Sequence, residues 1–164
     1  MIYTPKPYQL EAMKFLVSRQ HAGLLLPVGL GKTSTALHAT VTLRAAGAVK
    51  RTLIVAPVRA LYKVWPDEMM KWDTTRSLTV TNLRDHPDAP PTADIELVNP
   101  ENLIKILDMH PNRWDHLIVD ESSMFKASTS KRFQALRKRL HTFTRRWILT
   151  GSPAPNGLIA VGAQ

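Results

Sequence analysis

Residues 27–33, PVGLGKT, combine the residue types that bind a phosphate group. They follow an apolar, strand-like run and precede a helix-compatible segment, so backbone N–H groups and the helix dipole can point at one anion. Lys32 can reach the β and γ phosphates of a nucleotide, and the Thr33 hydroxyl can bind Mg²⁺. The general pattern G-x-x-x-x-G-K-[ST] has glycine in place of Leu26, so a glycine turn with an incidental lysine is the alternative interpretation.

Two adjacent carboxylates, Asp120 and Glu121, follow the apolar residues 117–119. Successive side chains of a strand point in different directions, so neighbouring acids can do separate jobs. Asp120 can hold Mg²⁺ through its water shell, while Glu121 orients and polarises an attacking water, as phosphoanhydride hydrolysis requires. Acids after a strand are more often a solvated turn. The phosphate-loop pattern earlier in the chain favours the catalytic interpretation, because a nucleotide site needs such a partner.

Short apolar runs alternate with helical patterns along the chain. Strands are predicted at residues 22–27, 51–57, 77–83, 95–99, 116–121 and 145–151. Several of these runs are apolar almost throughout, which is typical of strands that helices cover on both faces. The pattern predicts an α/β domain with a mostly parallel β-sheet flanked by helices and a ligand site at the carboxyl ends of the strands.

Helices are predicted at residues 32–46, 61–72, 100–107 and 131–140, and a surface loop at 84–94. Apolar residues recur at helical spacing between Leu61 and Trp72 and mark one buried face. Trp65, Trp72 and Trp147 fall within apolar patterns, so we expect them to serve as core or packing residues. The last residues of the chain show no closing element.

The composition excludes several classes of protein. The chain has 164 residues and no cysteine, which excludes a disulfide scaffold, a thiolate metal site and a cysteine nucleophile. Its six histidines show no metal-ligand spacing. No apolar run approaches the roughly 20 residues that a membrane span needs, and the N-terminus has no signal-peptide pattern. We expect one soluble cytoplasmic domain without a membrane partner.

The charge of the chain points to a polyanionic partner. The net charge is +9 and the pI about 10.2, and such a surface attracts phosphate backbones. We call residues 126–146 the basic cluster, because they contain many cations and no Asp or Glu. Its cations are Lys126, Lys131, Arg132, Arg137, Lys138, Arg139, Arg145 and Arg146. A solvated helix face is the alternative interpretation of this cluster.

Several segments resemble, in chain order, the motifs of the Snf2-like branch of superfamily 2 helicases, particularly its compact bacterial and phage members. The phosphate loop is similar to motif I of that family, in which another small residue commonly replaces the first glycine. Residues 53–57 and the helix behind them resemble motif Ia, and residues 96–103 the Ib region. Residues 120–123 take the place of motif II, and residues 149–156 resemble motif III.

The resemblance implies a RecA-like P-loop domain over residues 1–164, which would be a single helicase lobe binding ATP and Mg²⁺. Residues 7–9 resemble the segment that reads adenine. The implied nucleotide contacts are Tyr8, Gln9, Gly29, Leu30, Gly31, Lys32, Thr33 and Ser34. The implied catalytic residues are Lys32, Asp120 and Glu121, of which Asp120 joins Thr33 as a Mg²⁺ ligand. The implied motif III coupling residues are Thr150, Gly151 and Ser152.

The resemblance also implies partners. The DNA backbone, expected to be that of a duplex, would contact Pro57, Arg59, Lys63 and Lys126. A second RecA-like lobe, with motifs IV to VI and the arginines that reach the γ phosphate, has no counterpart in this sequence, and Ser123 replaces a frequent His in motif II. We therefore expect a monomeric lobe, from a bacterial cell or a phage-infected host, that hydrolyses ATP weakly or not at all alone.

Two other functions are alternatives to the helicase lobe. A small-molecule kinase would need a lid and an acceptor pocket, and neither the segment at 150–152 nor the basic cluster would be expected in it. A non-catalytic module that binds nucleotide or DNA, acting as a regulator or decoy, stays open, because hydrolysis in such motors depends on an arginine from the other lobe.

Overall fold

The computed structural model describes residues 1–26, 31–120, 131–151 and 159–160. The strands in these residues are β1 (His21–Leu25), β2 (Thr52–Val55), β3 (Val80–Asn82), β4 (Ile95–Val98), β5 (His116–Asp120), β6 (Arg145–Thr150) and β7 (Ile159–Ala160). The α-helices are α1 (Pro7–Ser18), α2 (Lys32–Ala45), α3 (Trp65–Lys71), α4 (Pro100–Met109) and α5 (Lys131–Arg137). A π-helical segment at Ala60–Val64 leads into α3, and a 3₁₀ turn at Leu140–Thr142 follows α5.

The strands of the described residues form one seven-stranded sheet in the order β3-β4-β2-β5-β6-β1-β7, and every pairing is parallel. The prediction of a mostly parallel sheet is confirmed. The register pairs Leu25 with Thr150, Asp120 with Leu149, and Val55 with Val119. The carboxyl ends of β1, β2, β5 and β6 therefore meet at one edge, which we call the carboxyl edge.

Helices cover both faces of the sheet. Ile54 and Ile118 point into a core that includes residues of α1, α2 and α3. Their neighbours Leu53 and Leu117 point into a second core, with residues of α4 and α5. This alternation explains why β2 and β5 are buried throughout and read as continuous apolar runs. The tryptophan prediction is confirmed at the positions Trp65 and Trp147, which are fully buried, whereas Trp72 is only half-buried.

Two elements lie outside the predicted ones. Helix α1 begins with Pro7 and buries Ala12 and Leu16 against the core, an apolar stripe too narrow to stand out in the sequence. Strand β7 pairs Ile159 with Leu24 at the end of the sheet, in a part of the chain where the sequence predicts no element. Among the described residues, no helix is long and apolar enough to cross a membrane.

Candidate functional site

The N-terminus of α2 has the geometry of an anion site. Gly31, which precedes the helix, has φ +76°, in the left-handed region that favours glycine. A Cβ there would also lie 2.5 Å from Gln9 Nε2 and 3.1 Å from Ser34 Oγ, so a side chain would displace the Gln9 amide. The first helical bond joins Thr35 N to Gly31 O at 3.0 Å. The N–H groups before Thr35 therefore face out of the helix end, where phosphate groups bind.

Lys32 and Asp120 meet at the carboxyl edge, although β6 lies between β5, which ends at Asp120, and β1, which precedes α2. The Lys32 Nζ lies 3.1 Å from Asp120 Oδ1, and the side chains are 22% and 6% exposed. The Trp65 indole Nε1–H donates to the other carboxylate oxygen, Oδ2, at 2.8 Å. The carboxylate is thus held from both sides, by an ammonium from α2 and by an indole from α3.

The same carboxylate fits a hydrated Mg²⁺ ion. Asp120 Oδ1 is buried and accepts no hydrogen bond from any described residue, so its contact with Lys32 is an ion pair and its lone pairs can serve a hydrated cation. A carboxylate and a hydroxyl are the oxygen ligands that Mg²⁺ prefers. Thr33, which is buried, follows Lys32 in the first turn of α2. The residues present therefore suit Mg²⁺ bound together with a phosphate.

Helix α1 brings Gln9 to the phosphate loop. The backbone N–H of Lys6 donates to Gln9 Oε1 at 2.9 Å, which fixes the amide and leaves Nε2 beside Gly31. Tyr8 is partly buried and packs against the core that α1 and α2 share. Both residues expected to contact the adenine base thus lie on a helix that packs on the helix of the phosphate loop.

The end of β6 lies against the strand that leads into the phosphate loop. The Leu26 N–H donates to Thr150 O at 3.1 Å, and Thr150 is fully buried. Gly151 follows directly. A change at this end of β6 would reach the phosphate loop through the β1–β6 pairing, which suits the coupling role expected for these residues.

Three of the four residues expected to contact DNA are described, and they lie farther along the carboxyl edge. Pro57 follows β2, Arg59 directly precedes the π-helical segment, and Lys63 lies within this segment, which leads to Trp65. These three described candidates are exposed. The remaining predicted site residues, Gly29, Leu30, Glu121, Lys126 and Ser152, lie outside the described residues.

Two arginines in the described part of the basic cluster bind groups of the fold itself. The Arg139 guanidinium binds the Asp108 carboxylate at 2.9 and 3.1 Å, and this hydrogen bond holds the pKa of Asp108 below its ordinary value. Arg145 Nη1 donates to the carbonyls of Val17 and Arg19 at the amino ends of the strands. Part of the positive charge therefore stabilises the fold at the edge opposite to the phosphate loop.

Two site neighbours lie outside the predicted site. Trp65 was expected only as a core residue, and the signal for its second role is its indole N–H, a donor that usually finds an acceptor when buried. His38 on α2 donates from Nδ1 to Ser34 O at 2.8 Å, contacts Thr74 Oγ1 at 2.5 Å through Nε2, and stacks on Tyr3. Burial lowers the pKa of His38, so a neutral imidazole supports the first turn of α2.

Comparison with known proteins gives the family of the chain. The family model of the SNF2-related domain matches residues 8–163. Putative protein p41 of Acyrthosiphon pisum secondary endosymbiont phage 1 is 33% identical, over 99% of this chain and 38% of that protein. The transcription regulatory protein SNF2 of Saccharomyces cerevisiae is 30% identical, over 94% of this chain and 10% of the yeast protein.

Solved structures show the same fold. The Sulfolobus solfataricus SWI2/SNF2 ATPase core, solved in complex with dsDNA, superposes with a TM-score of 0.79 at 21% identity, over 92% of this chain and 32% of that one. The UvsW helicase of bacteriophage T4 superposes with a TM-score of 0.71 at 16% identity, over 92% of this chain and 53% of that one. The chain thus spans a minor part of its curated relatives and has the RecA-like fold of these ATPases. Because the family model covers nearly all of it, the chain belongs to the SNF2-related domain family.

Proposed function

We propose that the chain is the first ATP-binding lobe of a DNA-dependent ATPase of the Snf2-like superfamily 2 type, and that it binds Mg-ATP at the carboxyl edge. The observation that carries the proposal is the 3.1 Å contact of Lys32 with Asp120 beside the N-terminus of α2. This contact supports the proposal, because nucleotide hydrolysis needs a cation for the phosphates and a carboxylate for the metal in one site.

Each residue has a distinct part in this proposal. Lys32 leaves Asp120 for the β and γ phosphates, while the N–H groups at the start of α2 hold the phosphate chain. Thr33 and Asp120 hold Mg²⁺, which when bound neutralises charge on the phosphate oxygens. Gln9 reads the adenine edge, with Tyr8 supporting the base. Glu121 orients the attacking water and accepts its proton.

We further propose that hydrolysis requires a second lobe. In phosphoryl transfer an arginine supplied from across a cleft contributes about 10³ to 10⁵ in rate. The implied γ-phosphate arginines belong to motifs IV to VI, which have no counterpart in this sequence. Residues 1–164 are therefore a nucleotide-binding lobe that turns over slowly by itself.

The DNA partner is inferred from the surface and from a neighbour. Pro57, Arg59 and Lys63 are exposed along the carboxyl edge, and a structure with the same fold was solved with dsDNA. Exposed cations favour contacts with the phosphate backbone, which carry no sequence preference.

Calorimetric titration of the chain with ADP, with and without Mg²⁺, tests the nucleotide site. We expect one binding event that Mg²⁺ strengthens. Absence of ADP binding in both conditions would contradict the proposal. Binding without any turnover, even after a second lobe is supplied together with DNA, would instead support the non-catalytic module.

A further inference from the structure

The Trp65 indole contacts the one described carboxylate that we assign to Mg²⁺ binding. Trp65 is fully buried, and its Nε1 lies 2.8 Å from Asp120 Oδ2. Asp120 itself is 6% exposed, so this bond lies in a region of low dielectric, where a hydrogen bond to a charged group is strong.

A second tryptophan shows that burial in this core does not by itself require the bond. Trp147 is also fully buried in the same core, and its Nε1 has no hydrogen-bond partner among the described residues. Trp114 donates to Glu96 Oε1 at 3.0 Å, away from the carboxyl edge. The indole of Trp65 is therefore distinguished by its acceptor, and the acceptor belongs to the proposed site.

The position of the bond explains what it does to the carboxylate. Lys32 contacts Oδ1 and Trp65 contacts Oδ2, so the Trp65 bond still restrains rotation of the carboxylate when Lys32 moves to a phosphate. A donor that holds a metal-binding carboxylate in place reduces the ordering that the metal must otherwise impose.

We propose that Trp65 is a positioning residue for the Mg²⁺ site, acting through Asp120. The inference rests on the proposed nucleotide-binding function. Without the indole N–H, the Asp120 carboxylate rotates and binds hydrated Mg²⁺ more weakly, while the nucleotide contacts of α2 persist. The substitution Trp65→Phe removes the N–H and keeps an aromatic ring in the core.

The first experiment tests the bond by NMR on the ¹⁵N-labelled chain, without nucleotide. The four tryptophans give four indole N–H signals, and the signal lost in Trp65→Phe identifies that of Trp65. We expect Asp120→Asn to move the Trp65 signal, while the Trp114 and Trp147 signals stay within the line width. A Trp65 signal that Asp120→Asn leaves unchanged would overturn the proposal. In this experiment Trp65→Phe serves only to assign the signal, and the test itself is made with Asp120→Asn.

The second experiment measures ADP affinity by calorimetry over a series of Mg²⁺ concentrations. We expect Trp65→Phe to raise the Mg²⁺ concentration needed for half of the Mg²⁺ effect by about 10- to 100-fold, with unchanged ADP affinity in the absence of Mg²⁺. The matched control is Trp147→Phe, which replaces a tryptophan of the same core by the smaller phenylalanine. This control should leave the Mg²⁺ requirement unchanged.

The outcomes separate the two proposals. Equal Mg²⁺ requirements in Trp65→Phe and the parent chain would overturn the role of Trp65 while the nucleotide site stands. An equal rise in Trp65→Phe and Trp147→Phe would also overturn it, because loss of packing would then explain both. A parent chain that binds ADP without any Mg²⁺ effect would overturn the proposed Mg²⁺ site.

Discussion

Replacement of Lys32 by alanine tests the phosphate contact and the buried ion pair together. The variant removes the ammonium that lies 3.1 Å from Asp120 Oδ1. A hydrogen bond to a charged group is worth about 1.5–3 kcal/mol, which corresponds to a loss of roughly 10- to 100-fold in ADP affinity. Calorimetry with the parent chain and Lys32→Ala measures this loss directly.

The same substitution should lower the stability of the chain without nucleotide, because Asp120 stays buried and keeps only the Trp65 N–H. Breaking a fully buried ion pair costs about 3–5 kcal/mol. Lys32 is 22% exposed, so water screens part of the effect, and we expect about 1–3 kcal/mol from urea unfolding. The double variant Lys32→Ala, Asp120→Asn should recover part of this loss, because no carboxylate is then left unpaired.

A matched control and a refuting result complete the test. Lys50→Ala removes an exposed lysine just before β2, at the amino ends of the strands, and should change neither ADP affinity nor stability measurably. Equal ADP affinity of Lys32→Ala and the parent chain would show that Lys32 does not contact the nucleotide. The alternative interpretation, a glycine turn with an incidental lysine, would then hold.

Three further variants test other parts of the account. Glu121→Gln, in a protein that joins this chain to a second lobe, should keep ATP binding and lower DNA-stimulated turnover by about 10²- to 10⁴-fold. Gly31→Ala should lose roughly 1–2 kcal/mol of stability in urea unfolding because of its positive φ, and it should also bind ADP more weakly. Gly47 has φ +75° and open space around it, so Gly47→Ala should lose stability without a change in ADP affinity. The double variant Arg59→Ala, Lys63→Ala should bind duplex DNA more weakly by fluorescence anisotropy, with a slope of log K against log salt that is shallower by about 0.9 for each lost phosphate contact.

The controls for these variants distinguish surfaces as well as roles. Full turnover in Glu121→Gln would refute its assignment as the base-like residue. The double variant Lys131→Ala, Arg132→Ala removes the exposed cations at the start of α5. If this variant changes the salt slope and Arg59→Ala, Lys63→Ala does not, the DNA contact belongs to the basic cluster and not to residues 57–63. Equal ADP affinity of Gly31→Ala and Gly47→Ala would show that the close approach to Gln9 has no bearing on the nucleotide.

The sequence predicts most of the fold because local patterns report burial. The apolar runs that became β2, β4 and β5 are buried throughout, so their composition alone indicates a covered parallel sheet. Helix α1 is harder to predict, because Ala12 and Leu16 are its only fully buried residues and its stability comes from packing on α2. The two-residue strand β7 depends on its pairing with β1 and has no pattern of its own.

The site follows less completely from the sequence. Motif order suggests that Lys32 and Asp120 act together, but their contact depends on the strand order that sets β6 between β1 and β5. The Trp65 bond depends on how α3 lies on the sheet, and an apolar pattern cannot show where an indole N–H points. The partners of Arg139 and Arg145 are equally hard to predict, because both side chains bind groups that are distant in the sequence.

A crystal structure of the chain with Mg²⁺ and ADP tests the central claim most directly. The account predicts the β-phosphate at the N-terminus of α2, within hydrogen-bonding distance of Lys32 Nζ. It also predicts Mg²⁺ near Thr33 Oγ1, with Asp120 reached through water and the Trp65 indole still bound to its Oδ2. A nucleotide bound elsewhere, or at α2 with Lys32 still paired to Asp120, would contradict the account.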